Sequence, residues 1–269
     1  MNWISGTYYS TYKGNTFQVS SIENVKSEAE YNVVTVINLF SQSLTTDFTG
    51  TLLNKFNNLS NLQCYNNQIS VLDVSQVTSL TFLYCYNNQI NTLDVSQLVN
   101  LNFLYCENNQ ISTLDVSQLT SLTILRCFNN QISVLDVSQL VNLNILFCDN
   151  NQISTLDLSQ SVNLALLRCQ SNQISTLDVS QLVNLTLLNC GNNQLTALDV
   201  SLNINLNQLV CNNNQLDAAT NSQILIDLDN NGLSNGYLQS SIFGGGSLTA
   251  AGQTAKTNLL SKGWTIVGI

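Results

Sequence analysis

Apolar residues recur along most of the chain on a fixed beat. The segment LNFLYCENNQISTLDVSQLTS, Leu101 to Ser121, returns with small changes from Leu59 to Leu216. In its FLYCE portion, Leu104 and Cys106 alternate with Phe103, Tyr105 and Glu107, the period-two signature of a strand with one side in a core and the other facing out. Leu114, Val116 and Leu119 then supply apolar residues for the far side of the same core. All eight cysteines keep one interval of 21: Cys64, Cys85, Cys106, Cys127, Cys148, Cys169, Cys190 and Cys211. A fixed period near 20 means stacked units, which here predicts a parallel sheet with neighbouring strands about 4.8 Å apart. No unit buries its apolar side alone, so stability comes from stacking and the end units need caps.

The ends fit that need. Val34, Ile37, Leu39 and Leu44 repeat the strand pattern without the cysteine, so VVTVINLFSQSL reads as a degenerate first unit. Before it, TYYSTYKGNTFQVSSI alternates around Lys13-Gly14-Asn15 and predicts a β-hairpin. After Leu216, ATNSQILIDLDNNG predicts a helix stopped by Asn-Gly, LTAAGQTAKTNLLSKG a second helix ending at Gly263, and WTIVGI a closing strand. The expected organisation is an N-terminal hairpin or attachment segment over 1–33, a repeat array over 34–216 and an α/β cap over 217–269.

With Leu101, Leu104, Cys106, Asn109 and Ile111 at the positions L-x-x-L-x-L/C-x-x-N-x-L/I, the unit resembles a leucine-rich repeat of the short bacterial type with an LDVS-like outer segment. The resemblance implies an α/β horseshoe-shaped solenoid with a parallel sheet on its concave face, and binding through that face. The block LDNNGLSNGYLQSSIFGGGSLTAAGQTAKTNLLSKGWTI is similar to a terminal module of leucine-rich-repeat and tail-type proteins of Bacteroidetes bacteria and their phages, but it lacks prolines after the glycines.

Composition narrows the partners. Charged residues make up 9% of the chain, proline and histidine are absent, and Asp+Glu at 16 against Lys+Arg at 7 leave a net charge of -9. Such a chain repels a phosphate backbone, whose binding needs clustered Lys and Arg, so nucleic acid is not an expected partner. The start, MNWISGTYYSTYKGNTFQV, has neither the basic opening nor the apolar stretch of a secretion signal. No apolar run approaches the length of a membrane-spanning helix, and membrane insertion is not expected.

Three columns of residues could carry chemistry. A thiol nucleophile needs a base or cation beside it, and this chain has no histidine. Zinc sites use paired ligands, whereas these cysteines come singly, and stacked side chains point the same way instead of toward one another for disulfides. The cysteines read as reduced core residues in a leucine slot. The asparagines Asn67, Asn88, Asn109, Asn130, Asn151, Asn172, Asn193 and Asn214 sit where the strand ends, placed to satisfy backbone groups. The aspartates Asp73, Asp94, Asp115, Asp136, Asp157, Asp178 and Asp199 each open a D-V-S-Q-like turn and read as caps, with calcium or acid–base chemistry as the alternative. The glycine-rich nonapeptide of calcium-binding β-rolls is missing.

Between residues 60 and 220 every aromatic residue falls at an outward strand position: Tyr65, Phe82, Tyr84, Tyr86, Phe103, Tyr105, Phe128 and Phe147. Arg126 and Arg168, the two basic residues of that stretch, stand just before a cysteine, and Glu107 and Asp149 just after one. Half-exposed, such rings would present on the order of 600–1,000 Å², against about 300–600 Å² for the largest apolar patch of a typical monomer. These twelve residues form the expected ligand face. Mutual stacking along the ladder is the bland alternative, but it does not explain why the rings give way after Phe147 to Leu166, Gln170, Leu187, Asn189 and Gly191.

The sequence thus predicts a non-enzymatic recognition or adhesion module for a protein or glycan on a surface. It would work at a virion or extracellular surface without a signal peptide, and other virion proteins are further expected partners. The alternative is a purely structural tail or capsid-decorating subunit. No cofactor or metal is expected. Glu107 and Asp149 stand about 10 Å apart by strand spacing, which alone is a weak hint of glycosidase carboxylates.

Overall fold

A strand forms in each repeat because three residues alternate out, in, out, with the central leucine buried and its neighbours half-buried. The computed structural model describes residues 8–12, 15–19, 35–40, 53 and 56–269. It divides into two compact units, Met1–Ile132 and Ser133–Ile269.

In the first unit β1 (Tyr8–Tyr12) and β2 (Asn15–Val19) pair antiparallel with Tyr12 opposite Asn15. The antiparallel strand pair expected from sequence is therefore present; Lys13 and Gly14 lie outside the described residues. Strand β1 also meets β3 (Val36–Asn38) antiparallel, at Tyr9 and Asn38. From β3 onward the strands run parallel: β4 (Asn61–Gln63), β5 (Phe82–Tyr84), β6 (Phe103–Tyr105) and β7 (Ile124–Arg126). Ile37 and Leu39 are buried as the degenerate first unit requires, while Val34 and Leu44 lie outside the described residues.

Two devices turn the chain after each strand. Asn66, Asn87, Asn108 and Asn129 adopt the left-handed conformation with φ between 52° and 56°, a region that asparagine tolerates better than most residues. The next asparagine works from its side chain. Asn109 Nδ2 donates to the carbonyls of Cys85 and Cys106, both at 3.1 Å, and its Oδ1 accepts from Ile90 N–H at 3.0 Å. One amide thus ties two repeats together. On the far side Leu114, Val116 and Leu119 are buried, and Asp115 Oδ1 accepts from the N–H and hydroxyl of Ser117 at 3.0 and 2.7 Å, the capping role expected of the aspartates.

The second unit repeats these turns. Its parallel neighbours in order are β8 (Ile145–Phe147), β9 (Leu166–Arg168), β10 (Leu187–Asn189), β11 (Gln208–Val210), β12 (Tyr237–Gln239) and β13 (Thr265–Val267). Strand β12 is absent from the sequence reading. Helix α1 (Ala218–Asn230) is capped by Asp217, which accepts from Thr220 N–H at 2.7 Å, and α2 (Ala250–Ser261) by Thr249, which accepts from Gly252 N–H at 3.1 Å. The helices approach closely at Gly252, where a Cβ would come within 2.7 Å of Ser222. Gly263, with φ of +83°, ends the second helix as expected, and Trp264 then packs so tightly on Gly236 that a Cβ there would meet its ring at 2.5 Å.

The cysteines are buried in the cores of their units, and none is in a disulfide. Burial pushes the Cys64 thiol up to about 12, and Cys106 well above its ordinary value with help from Cys127 and Cys85. They are packing residues without thiolate character.

Candidate functional site

Outward strand residues at equivalent positions stack in files, because parallel in-register pairing sets Phe82 opposite Phe103 and Tyr84 opposite Tyr105. In the first unit Phe82 and Phe103 meet edge to face, with centroids 4.9 Å apart at 75°, and Tyr84 and Tyr105 do the same at 4.8 Å and 72°. A third file lies flat: Phe40 on Tyr65 at 5.0 Å and 5°, then Tyr65 on Tyr86 at 4.4 Å and 8°. Arg126 closes the arrangement, its guanidinium 4.9 Å from the Tyr105 centroid and 5.4 Å from that of Phe128. Phe40 escaped the sequence reading because its repeat lacks the cysteine that marks the period.

All eight rings named from sequence are half-buried on the strand-bearing faces of their units. Phe147 belongs to the second unit, where Arg168 lies 5.1 Å from its centroid. Beyond it that face turns aliphatic and polar, with Leu166, Leu187, Asn189 and Gln208. Burial, then the proximity of Tyr65 and Glu107, pushes the Tyr86 phenol up to about 12, and burial with Tyr105 raises Tyr84 as well. These hydroxyls are protonated donors across the neutral range.

The two carboxylates do not share that exposure. Glu107 is 3% exposed and Asp149 1%, although alternation along the strand sets both outward. The position after the cysteine is where the chain leaves the strand for the left-handed asparagine, and there the side chain is covered by the arginine of the following strand. Glu107 Oε1 lies 2.9 Å from Arg126 Nη2, and Asp149 Oδ2 lies 3.4 Å from Arg168 Nη2 and accepts from Asn150 Nδ2 at 3.0 Å. The arginines remain 33% and 39% exposed. Glu107 and Asp149 hold the arginines in place; the arginines face outward.

The Glu107 pairing has a testable sign. Burial raises its carboxyl above the ordinary range, against the opposing pull of its own backbone N–H and of Arg126. A folded value above the unfolded one means the folded chain holds a proton that the unfolded chain has released, so this group favours folding most at low pH and loses that contribution as pH rises through the folded value. Relative to the native chain, Glu107→Gln is therefore expected to gain stability between about pH 4 and pH 7. Urea melts at both ends of that range check this, and a variant that loses ground as pH rises would show that the ion pair outweighs desolvation.

Residues 78–119 match the family model described as Leucine Rich repeats, in two copies. The functional domain of InlJ from Listeria monocytogenes, which includes a cysteine ladder, is similar at 30% identity and a TM-score of 0.62, over 85% of this chain and 52% of its own. The fold is that of leucine-rich-repeat solenoids. A leucine-rich-repeat protein of Leptospira interrogans matches at 25% identity and a TM-score of 0.67, over 81% of this chain and 56% of its own. Internalin C2 of Listeria monocytogenes matches at 25% and 0.61, over 67% of this chain and 82% of its own. The chain thus spans about half the length of the first two. No curated protein sequence matches it. Leucine-rich-repeat domains are generally modules of protein recognition, and scaffolds of this fold are typically non-enzymatic.

Proposed function

We propose that the strand-bearing face of the first unit recognises a protein ligand, with Tyr65, Tyr84, Tyr86, Tyr105 and Arg126 as its anchors. One observation carries the choice of protein over glycan: several of the ring faces are already covered by a neighbouring ring or by Arg126. Phe40, Tyr65 and Tyr86 lie flat on one another, and Arg126 covers Tyr105 and Phe128. What such a surface offers outward is ring edges, phenolic hydroxyls and a guanidinium held by a buried carboxylate. A sugar stacks on an open ring face. Protein side chains and backbone use edges and hydroxyls, and Tyr and Arg packed rigidly are the residues that dominate protein interfaces. Preorganisation by stacking also lowers the entropy cost of binding.

A surface, cellular or viral, is the setting we propose, on the likeness of the C-terminal block to tail-type modules; copurification with particles tests it separately. For the face itself, the full chain and a Tyr84→Ala, Tyr105→Ala double variant are screened in parallel against a surface-protein fraction and a glycan array. The variant is expected to keep its fold, since cross-strand aromatic pairs contribute about 0.2–1 kcal/mol each. Its affinity for a protein captured by the native chain is expected to fall at least about thirtyfold, the loss of a hot spot of about 2 kcal/mol. Undiminished binding would overturn the site, and glycan hits lost in the variant would overturn the choice of ligand. Silence in both arms would favour a passive structural subunit.

A further inference from the structure

Among the described residues, the acids buried below a tenth exposure are Glu107, Asp149 and Asp227. The first two are each met by an arginine of the next repeat. Asp227, 5% exposed on α1, makes no ion pair among the described residues. Its Oδ1 accepts from Gln223 Nε2 at 2.8 Å, and its buried Oδ2 has no hydrogen-bond donor. An unpaired buried carboxylate is costly, and this chain elsewhere avoids leaving one.

What Asp227 lines is a cavity of about 360 Å³ between α1 and the outer segment of the last full repeat. Thr220, Gln223 and Asp227 reach it from one face of the helix, at spacings of three and four residues. Leu198, Asp199 and Ser201 form the opposite wall. Asp199 brings a second carboxylate, exposed and already capping Ser201 N–H at 2.9 Å, close enough for its charge to act on Asp227. The cavity therefore carries negative charge at depth and at its rim, two hydroxyls, an amide and an apolar wall. Its volume falls in the range of small-ligand sites and far exceeds the space one water needs. Among the described residues no three His, Cys, Asp or Glu side chains are grouped to hold a metal ion.

We propose that this cavity binds an organic cation, a primary ammonium or guanidinium group on an aliphatic stem, with Asp227 accepting its charge at depth and Asp199 at the rim. Gln223 is exposed and holds only Asp227 Oδ1; the incoming donor meets the carboxylate at Oδ2, the oxygen without a partner, and the stem lies along Leu198. Two donors meeting two carboxylates in a part-enclosed site form charge-assisted hydrogen bonds stronger than those with neutral partners. The site belongs to the second unit and makes no use of the aromatic face.

Titration calorimetry of the full chain tests it, with N-acetyl-lysine methylamide and N-acetyl-arginine methylamide as probes and calcium chloride as a separate arm. One-to-one saturable binding of at least one amino-acid probe is expected at millimolar concentration. It should weaken by about tenfold or more in Asp227→Asn, the loss of one charged hydrogen bond, and by a smaller factor in Asp199→Asn, which keeps the oxygen that caps Ser201. Because burial and Asp199 hold the Asp227 carboxyl above its ordinary range, binding should strengthen as rising pH ionises it. Matched melting temperatures confirm that both isosteric variants are folded. Three results would overturn the proposal: no saturable binding of either probe, binding indifferent to Asp227→Asn, or stoichiometric calcium binding that displaces the amine probes.

Discussion

Asn109→Ala is expected to cost about 3–5 kcal/mol in urea denaturation of the full chain, more than any surface ring, because the side chain is a connector. Its amide donates to the carbonyls of Cys85 and Cys106 at 3.1 Å and accepts from Ile90 N–H at 3.0 Å. Alanine leaves Ile90 N–H without that partner, at about 1–3 kcal/mol, and removes one amide donor from each of the two carbonyls, which keep those of Asn88 and Asn130, at about 0.5–1.5 kcal/mol each. The damage also spreads, since a repeat draws its stability from its neighbours. Asn108→Ala is the control. That residue is adjacent, left-handed at φ 55°, and its side chain reaches Asn87 Oδ1 at 2.7 Å on the exposed rim, so its loss is expected to cost about 1–2 kcal/mol. Equal costs at the two positions would show that the inward amide contributes no more than backbone preference does.

This asparagine was legible in sequence because a backbone geometry repeated at every turn demands the same residue at every turn. The same holds for the leucines, the cysteines and the aspartate caps, where a period of 21 converts one local requirement into a column. What the period could not carry was anything made by a single turn. Tyr237–Gln239 pairs parallel with both β11 and β13, yet it lacks the cysteine and the leucine spacing, and three residues are too few for alternation to show. Phe40 continues the stacked file of Tyr65 and Tyr86 from a repeat that the cysteine does not mark.

The candidate site was legible in its rings and not in its charges. Alternation assigns a side to each strand residue, and the rings obey it. Glu107 and Asp149 stand where the strand ends and alternation ceases to govern, so their burial depends on the arginine of the following repeat, twenty residues or so along the chain. The consequence changes the chemistry of the face. In each unit a face expected to show a carboxylate and a guanidinium shows the guanidinium outward, oriented from beneath. The net charge of -9 resides elsewhere, largely in the exposed aspartate caps, and conveys nothing about the sign of the candidate face.

Cys106→Ser and Cys211→Ser, the same substitution in the same column, are expected to differ. Cys106 is fully buried, and a hydroxyl there meets an apolar column, so the cost is expected near 2 kcal/mol. Cys211 stands at the end of the column, where its Sγ donates to Ser240 Oγ at 3.3 Å and Ser240 donates onward to Asn221 Oδ1 at 2.5 Å. That hydrogen bond works against burial in setting the Cys211 thiol at about 11, where Cys64 reaches about 12. A serine at 211 inherits a partner, and its cost is expected below about 1 kcal/mol. Asn221 Nδ2 carries the relay on to the carbonyls of Leu216 and Asp217, at 3.1 and 2.9 Å, so this chain of polar contacts joins the last cysteine to the start of α1. Thermal melts of the two variants decide the matter. Equal losses would mean that the relay adds nothing to the seal between repeat and cap, and that Cys211 is only one more apolar filler; a large loss at Cys106 alone would show that the column is apolar along its length and polar by design only where it meets the helix.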